Sequence, residues 1–391
     1  MKKIRTLLII SSGYPYKDNP EYTFVDQLVS EFANHEIRCI VIAPYSISKR
    51  IIRKNTPPPV KSQRETISGK MIEVYRPRYV SFSSNLFSIN TSVLTYNNFK
   101  RAVLKELRSL NVEPDAVYGH FIAMSGMCAA DIGELLNVPS FLAYGESSVQ
   151  NFLNFNSPFL RSKLNKLAGI ISVSTENKRE LLELGLIDNP DIIEVFPNGI
   201  DPRKFYKVDK QEARNKLGIC EEKFVVAFVG GFIERKGIGV LCEVIGNLQD
   251  VYALLIGRGP IEPSCKNLLH QGPVNNEDLY LYLNAADIFV LPTLAEGCCN
   301  AIIEAMACGL PIVSSDKEFN DDILSEKNSI RVDSKNTKKI QEAINTLKVN
   351  NKLRKEMSAE ALKSAAHLNI ETRAKMIISF METKLNYKKE E

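Results

Sequence analysis

The sequence lacks features that mark several classes of protein. Its eight cysteines contain no C-x-x-C pair and no cluster with the spacing of zinc ligands, so a reducing cytosol is the expected environment. No run of 18 uncharged apolar residues occurs, which predicts that no segment spans a bilayer as a helix. The apolar stretch Leu7 to Ile10 is short and has no cleavage-like site after it, which favours a buried strand over a signal peptide.

A dinucleotide-binding fingerprint is also missing. The first predicted strand runs into Ile9-Ile10-Ser11-Ser12-Gly13, which does not contain G-x-G-x-x-G, so a nicotinamide-dependent dehydrogenase is disfavoured. The chain has no low-complexity tract and no repeat of fixed period. Its 44% hydrophobic and 25% charged residues are typical of a soluble globular protein.

What the sequence contains is an alternation of short β-rich runs with longer helical patterns. At about 100 to 200 residues per domain, 391 residues make two or three domains. The alternation predicts parallel sheets with helices on both faces. The interval 76–98 has little periodicity and is interpreted as a loop with apolar content. The predicted strands are 4–10, 37–43, 70–75, 115–119, 138–143, 168–173, 191–196, 224–229, 251–256, 286–291 and 310–314.

The formal net charge of +4 arises in the first half of the chain. Residues 1–200 hold 23 Lys and Arg against 19 Asp and Glu, whereas residues 201–391 hold 27 of each. Two interpretations stay open: solvated surface, which charge runs usually form, and reversible contact with an anionic membrane. Nucleic acid is not expected as a partner because no binding-module signature occurs and the pI is about 8.5. The candidate membrane contacts are Arg50, Arg53, Lys54 and Arg101 with the apolar residues of 79–94.

The first candidate ligand site follows the predicted strand 224–229. Gly230 and Gly231 let the backbone approach a ligand closely, while Arg235 and Lys236 add two cations at the start of the next helix. Together these residues suit a diphosphate. A glycine-rich turn with a basic pair also occurs at ordinary solvated helix starts, so this motif alone leaves both interpretations open.

A second candidate site follows the tenth predicted strand. Helix-forming residues begin near Asn300, an expected N-cap, so the backbone from Gly297 to Ile302 is predicted to form an anion site. Glu296 precedes that helix and Glu304 lies about one turn inside it. Carboxylates repel a bare phosphate but accept hydrogen bonds from the vicinal hydroxyls of a ribose or a hexose. A ligand with hydroxyls at both ends and phosphates between them is a nucleotide sugar.

Three runs resemble, in order, motifs of the retaining glycosyltransferases of family four, which have the GT-B fold. They are Phe196-Pro197-Asn198-Gly199-Ile200-Asp201, then Gly230 to Gly237, then the E-x7-E run from Glu296 to Glu304. The resemblance covers nearly the whole chain and is most specific in 196–315. Relatives with this combination often build bacterial surface polysaccharides on lipid carriers.

The resemblance implies an α/β protein of the GT-B fold, with two doubly wound Rossmann-like domains facing across a cleft. Residues 1–197 would bind the acceptor, residues 198–370 the nucleotide-sugar donor, and a helix over 371–391 would pack back on the first domain. The donor is expected to be a UDP-sugar.

The resemblance also implies a role for each candidate donor residue. Arg235 and Lys236 would hold the diphosphate, and Glu304 would hold the ribose hydroxyls. Glu296, together with the backbone from Gly297 to Asn300, would contact the sugar and the phosphate. The other expected donor-binding residues are Gly13, from the opposite domain, Gly231, Val274, near the base, Gly297, Cys298, Cys299 and Asn300.

The acceptor side departs from the family pattern. Relatives commonly carry His-Gly after the fifth predicted strand, whereas this chain has Tyr144-Gly145-Glu146. We expect Tyr144 and Glu146, with Tyr14, to supply polar contacts there. His120, after the fourth predicted strand, lies at the same sheet edge, and a lone histidine there is either structural or catalytic.

Two donor positions also depart from the pattern. Many relatives have an arginine where this chain has Gly231, so Arg235 is expected to supply the cation. Arg258 stands where an acidic residue is common.

The predicted reaction is transfer of a sugar from a nucleotide diphosphate to a glycan or lipid-linked acceptor, with retention at the anomeric carbon. No D-x-D motif is present, so Arg235, Lys236 and a helix N-terminus are expected to stabilise the departing diphosphate without a metal or cofactor. Glu296 and His120 complete the candidate catalytic set. Alternatives are a nucleotide-sugar epimerase of the same fold and a non-catalytic nucleotide-sugar-binding partner of another transferase. We expect a cytoplasmic protein. If the basic residues contact an anionic membrane, the protein is expected to be peripheral at the inner face of that membrane.

Overall fold

A computed structural model of the chain describes residues 2–16, 21–48, 56–82, 85–86 and 89–385. The chain divides into two units, residues 1–196 with 373–391, and residues 197–372. Three candidate membrane contacts, Arg50, Arg53 and Lys54, lie outside the described residues. Within the described residues, no helix has the length and apolar character needed to cross a membrane.

The first unit is built on an eight-stranded sheet in the order β12-β11-β10-β9-β1-β2-β5-β4. Strand β4 runs antiparallel to β5, and the other neighbours are parallel. The strands of this unit are β1 (Thr6–Ser11), β2 (Arg38–Ile42), β3 (Tyr45–Ser46), β4 (Lys61–Glu65), β5 (Met71–Tyr75), β6 (Arg78–Tyr79), β7 (Asn85–Leu86), β8 (Ile89–Asn90), β9 (Ala116–His120), β10 (Ser140–Tyr144), β11 (Gly169–Ser172) and β12 (Ile193–Val195). Its helices include α1 (Thr23–Asn34), α2 (Ser92–Leu110), α3 (Met127–Leu136), α4 (Ser157–Leu164) and α5 (Thr175–Glu183).

The second unit is built on a six-stranded parallel sheet in the order β15-β14-β13-β16-β17-β18. Its strands are β13 (Phe224–Val229), β14 (Val251–Ile256), β15 (Leu268–Gly272), β16 (Ile288–Leu291), β17 (Ile312–Ser315) and β18 (Ser329–Val332). Its helices are α6 (Lys210–Leu217), α7 (Ile238–Gly246), α8 (Leu279–Ala285), α9 (Asn300–Ala307), α10 (Thr337–Val349) and α11 (Asn351–His367). The last helix among the described residues is α12 (Ile370–Thr383).

The prediction of two doubly wound α/β sheets is confirmed, and all eleven predicted strands occur. In the two large sheets, strands β4, β15 and β18 were not predicted, and the two-residue strands β3, β6, β7 and β8 were not predicted either. β4 is mostly exposed and polar because it forms the edge of its sheet, and edge strands need no alternating apolar face. The interpretation of 76–98 as a loop is wrong in part, since α2 begins at Ser92 and short strands precede it.

Helix α12 is anchored in the core of the first unit. Ala374, Ile377 and Met381 are buried in that core. The ring of Phe380 packs against the rings of Phe141 and Phe196, with centroid distances of 6.2 Å and 5.7 Å. The helix ends at Thr383, before the end of the segment 371–391.

The parallel topology fixes where ligand-facing loops lie. Carboxyl ends of parallel strands meet at one edge of a sheet, so the residues after β13, β14 and β16 are neighbours. The loops after β13 and β14 touch closely: the Phe232 amide donates to the Arg258 carbonyl at 3.0 Å. A Cβ on Gly257 would lie 1.9 Å from the Gly230 carbonyl oxygen, and Gly257 has a φ of +152°. A side chain cannot fit at Gly257 without moving the loop that follows β13.

We therefore expect Gly257→Ala to lower the free energy of unfolding by about 1 to 3 kcal/mol, because it adds both a clash and backbone strain. Gly239→Ala is the matched control, since nothing lies within 4 Å of the added Cβ in helix α7. The control should raise the free energy of unfolding by about 0.5 to 1 kcal/mol. Urea unfolding followed by circular dichroism measures both. Equal stability of the two variants would contradict the packing described here.

Candidate functional site

The loop after β13 carries the predicted cation pair. A short helical turn spans Glu234–Lys236, and Gly237 follows it with a φ of +73°. A Cβ on Gly237 would lie 2.3 Å from the carbonyl oxygen of Pro292, so this turn packs directly on the loop after β16. The Arg235 carbonyl accepts a hydrogen bond of 2.7 Å from the Leu294 amide. Two separate sequence motifs are thereby joined through their backbones.

The carboxylate of Glu296 lies close to both cations, Arg235 and Lys236. Its Oε1 atom lies 2.5 Å from Lys236 Nζ and 3.4 Å from Arg235 Nη1. The Thr293 hydroxyl donates to the same oxygen at 2.8 Å. Burial acts to lower the pKa of Lys236, but the neighbouring Cys299 and Glu296 groups raise that pKa above its ordinary value. These residues were predicted to bind one ligand, but their pairing with one another was not predicted.

The start of helix α9 corrects the prediction for Asn300. Asn300 is the first helical residue and Cys299 is the N-cap, and Cys299 provides no side-chain capping bond. Asn300 Oδ1 is buried and finds no hydrogen-bond partner among the described residues. Burial raises the pKa of the Cys299 thiol to about 11, so it is neutral at physiological pH. The backbone amides of the first turn of α9 therefore lack the side-chain cap that was predicted. The side-chain oxygen of Asn300 also lacks a hydrogen-bond partner among the described residues.

Asn198 is a positioning residue that the motif contained but whose role was not predicted. Its side-chain amide donates to the Cys298 carbonyl at 3.0 Å, and its backbone amide lies 3.4 Å from Cys298 Sγ. The neighbouring Gly199 is needed because a Cβ there would lie 2.8 Å from the backbone of Ile370. The motif that begins at Phe196 therefore holds the loop Gly297 to Cys299 in place. Asn198 and Cys298, which make this contact, are 100 residues apart in the sequence.

Glu304 lies one turn into α9, as predicted. Its carboxylate has no hydrogen-bond or ion-pair partner in the described part of the chain. Burial raises the pKa of Glu304 to about 7, and the charge of Lys236 opposes that shift. Val274, the predicted base contact, follows β15 and packs partly buried against the core of the second unit.

The raised pKa of Glu304 makes stability depend on pH. The carboxyl has an ordinary pKa of 4.5 and a folded pKa of about 7, so its favourable contribution is complete below about 4.5 and is lost as the pH rises through 7. Glu304→Gln stays neutral, so the variant should gain stability relative to the parent between pH 5 and pH 8. Urea unfolding at both pH values measures the difference. Glu243→Gln, at an exposed position of α7, is the control and should show no such gain.

His120 closes strand β9 at the carboxyl edge of the first sheet. It is buried, and its Nδ1 atom shares a 3.1 Å hydrogen bond with the Tyr118 hydroxyl. The rings of Phe24 and Phe121 flank it at centroid distances of 5.3 Å and 4.7 Å. Burial, with a smaller effect of the Arg373 charge, lowers the pKa of His120 to about 3. The imidazole is neutral at physiological pH; its catalytic role stays a prediction.

Glu146 lies two residues after β10, in the run Tyr144-Gly145-Glu146 that departs from the family's His-Gly pattern. Its carboxylate accepts hydrogen bonds from the amides of Ile122 at 2.6 Å and Gly145 at 3.2 Å. Burial raises its pKa to about 7. The loop that it holds is strained, since Phe121 has a φ of +69°. Tyr144 is also engaged, because its hydroxyl donates to Glu180 Oε2 at 2.8 Å.

Gly13 and Tyr14 follow strand β1 in the first unit. A Cβ on Gly13 would lie 2.5 Å from the ring of Tyr22, so glycine is required for this contact. Tyr14 is 4% exposed, and burial raises the pKa of its phenol, with a further contribution from Asp26. Both residues line a cavity of about 120 Å³ within this unit.

A metal site is not evident in this geometry. Among the described residues, no group of three or more His, Cys, Asp or Glu side chains is placed to hold a metal ion. The donor-side cluster is formed by two cations and two carboxylates on the loops after β13 and β16 and on α9. Such a cluster can bind a phosphorylated ligand that also carries hydroxyl groups.

Comparison with known proteins identifies the class. Residues 209–364 match the family described as glycosyl transferases group 1, a range that contains every predicted donor residue of the second unit. The fold resembles sucrose-phosphate synthase from Thermosynechococcus elongatus, with a TM-score of 0.78 and 17% identity over 97% of this chain and 98% of that chain. Residues 209–364 therefore form a glycosyltransferase group 1 domain, the fold is that of GT-B glycosyltransferases, and the family resemblance drawn from the motifs is confirmed.

Two relatives are similar to this chain over most of its length. A Bacillus subtilis protein named as a teichuronic acid biosynthesis glycosyltransferase, TuaC, is 28% identical over 86% of this chain and 88% of its own length. The N,N'-diacetylbacillosaminyl-diphospho-undecaprenol alpha-1,3-N-acetylgalactosaminyltransferase of Campylobacter jejuni is 28% identical over 71% of this chain and 78% of its own length. Transfer of a sugar in polysaccharide biosynthesis is the activity that these comparisons support.

Proposed function

We propose that this glycosyltransferase transfers a sugar from a UDP-sugar to a lipid-linked or glycan acceptor, with retention at the anomeric carbon and without a metal ion. The observation that carries this proposal is the convergence of Lys236 and Arg235 on Glu296 beside the first turn of α9. Two cations and unsatisfied backbone amides are what a diphosphate requires.

Donor binding would exchange partners within this cluster. The diphosphate competes with Glu296 for Lys236 and Arg235, since phosphate oxygens accept strong charge-assisted hydrogen bonds. Glu296 is then available to accept hydrogen bonds from sugar hydroxyls. The Glu304 carboxyl, unpartnered in the described part of the chain, suits the ribose hydroxyls. Asn300 Oδ1 offers one more acceptor at the helix start.

The reaction breaks the bond between the anomeric carbon and the β-phosphate oxygen and forms a bond from an acceptor hydroxyl oxygen to the same face of that carbon. The acceptor's proton passes to the departing phosphate oxygen, and UDP leaves with the bonding electrons. Lys236, Arg235 and the amides of α9 stabilise the charge that develops on UDP. No residue at this cluster is needed as a covalent nucleophile. The anomeric configuration of the product, read by NMR, tests retention.

The relatives' names support the choice of acceptor and linkage. The Campylobacter enzyme is named for a diphospho-undecaprenol acceptor and an alpha linkage, and TuaC is named for teichuronic acid. An alpha product is what retention gives from an α-configured donor. A carrier lipid would bring the enzyme to a membrane surface.

Replacing Lys236 by alanine should weaken UDP binding by about 1.5 to 3 kcal/mol, because it removes a charge-assisted contact to the diphosphate. Turnover should fall as well, and Lys236→Arg should recover part of both. Calorimetric titration with UDP and a UDP-release assay measure these effects. Lys216→Ala removes an equal charge from an exposed position of α6 and is the control.

Unchanged UDP binding in Lys236→Ala would contradict the proposed donor site. The same assay tests metal independence, since activity should persist in a chelator. Loss of activity in chelator that magnesium or manganese restores would contradict that part of the proposal.

One face of helix α2 supports reversible membrane contact. Leu94, Arg101, Lys105 and Arg108 are exposed and follow one another at seven, four and three residues, which places them on one side of a helix. The preceding segment adds exposed Val80 and Phe82. Lys100, Lys163 and Lys166, in contrast, surround Asp131 at 2.7, 2.8 and 3.7 Å and are held within the fold.

Anionic vesicles should therefore sediment the protein at low salt and release it as the ionic strength rises, since each surface cation contributes about 1 kcal/mol. Reversing the charges of Arg101 and Lys105 should abolish sedimentation. The control, Lys352→Glu, changes an exposed lysine of α11 in the second unit and should leave it intact. Sedimentation that is independent of salt or of the α2 charges would contradict this contact.

A further inference from the structure

A buried arginine in the first unit has fewer partners than its charge requires. Arg76 directly follows β5 and is 3% exposed. Its Nη1 atom donates to Ser62 Oγ at 2.7 Å and its Nη2 atom to the Pro15 carbonyl at 2.9 Å. Its Nε atom is buried with no hydrogen-bond partner, and the guanidinium forms no ion pair with a carboxylate among the described residues. A buried cation without a counter-ion is unfavourable, so this site favours an anion.

Arg76 is one of the residues that line the cavity of about 120 Å³, while Ser62 and Pro15, the partners of its Nη atoms, line an adjoining cavity that Arg76 shares. A cavity needs about 10 to 15 Å³ on this measure to hold one water, so the space is large enough for several waters or for one sugar ring. The cavity lies at the carboxyl edge of the sheet, because its walls follow the parallel strands β1, β2 and β5. Ligands of open α/β sheets bind at this edge.

The other walls of the cavity are rich in tyrosine. Aromatic rings present flat apolar faces to the C–H face of a sugar, and phenol groups donate and accept hydrogen bonds with its hydroxyls. The ring of Tyr16 also lies 5.9 Å from the Arg76 guanidinium carbon and orients it. The tyrosines that line the cavity are Tyr14, Tyr16, Tyr22, Tyr45 and Tyr79.

We infer that this cavity binds the terminal sugar of the acceptor, that this sugar carries one carboxylate, and that Arg76 pairs with it. The inference rests on the proposed function, because it names the acceptor class of the proposed transferase. Arg76 is the one cationic side chain among the described lining residues, and Glu21 also lines the cavity. A single cation in the lining favours a singly charged group over a diphosphate. Glu21 is exposed and suits a sugar hydroxyl.

The test compares two probes that differ only at C6, where one has a carboxylate and the other a hydroxymethyl group. Methyl glucuronoside should bind the full-length protein at least about tenfold more tightly than methyl glucoside, and the difference should shrink as salt rises. Saturation-transfer NMR or calorimetry measures both. Arg76→Gln should remove the preference, and Arg76→Lys should keep part of it. Arg38→Gln is the matched control, since Arg38 is an exposed arginine of β2 that pairs with Glu73 outside the cavity.

If the Arg76 variants fail to fold, the comparison of the two probes on the parent protein decides the outcome. Equal binding of charged and neutral probes would overturn the inference, as would a preference that survives in Arg76→Gln. Tighter binding of glucose 6-phosphate than of glucuronate would overturn the carboxylate assignment. UDP titration distinguishes failure of this inference from failure of the proposed function. If UDP binds normally and its binding depends on Lys236, but no uronate preference is seen, the acceptor class is rejected while the proposed donor site is retained.

Discussion

The 2.5 Å contact between Lys236 and Glu296 joins the two loops on which the donor side depends. The loop after β13 supplies the cation and the loop after β16 supplies the carboxylate, and backbone contacts at Gly237 and Leu294 hold the two loops together. In the proposed donor site, a diphosphate would displace Glu296 from Lys236. A largely buried lysine without Glu296 would be unfavourable in the free protein, and Glu296 without the lysine would repel an anionic ligand. The contact therefore stabilises the two loops, and in the proposed function it also contributes to selectivity.

Burial sets the protonation of groups in both units. His120 is neutral because its surroundings are aromatic and apolar, whereas Glu146 and Glu304 have pKa values raised to about 7. Glu146 uses its oxygens to hold the strained loop that contains Phe121, so its carboxylate acts as an anchor. In the proposed function, the acceptor sugar is assigned to the cavity that Arg76 lines.

Much of the fold could be predicted from sequence because buried parallel strands are apolar on both faces. The run Leu7 to Ile10 is fully buried and was recognisable from its composition alone. Strands β4, β15 and β18 escaped prediction because they are short, polar or at sheet edges, where no apolar pattern is required. The N-cap of α9 was wrong by one residue, since the residue type of Asn300 suits a cap but the chain enters the helix one position earlier.

The sequence by itself indicated the class of protein, because the glycine turns, the paired cations and the E-x7-E run are local motifs that resemble those of a known family. It also placed most candidate donor residues on two loops. Only the tertiary structure decided their partners: that Lys236 binds Glu296, that Asn198 holds Cys298, and that Arg76 is buried without a carboxylate. These contacts join residues up to 100 positions apart, and which of them meet depends on strand order and register, which residue types alone do not encode.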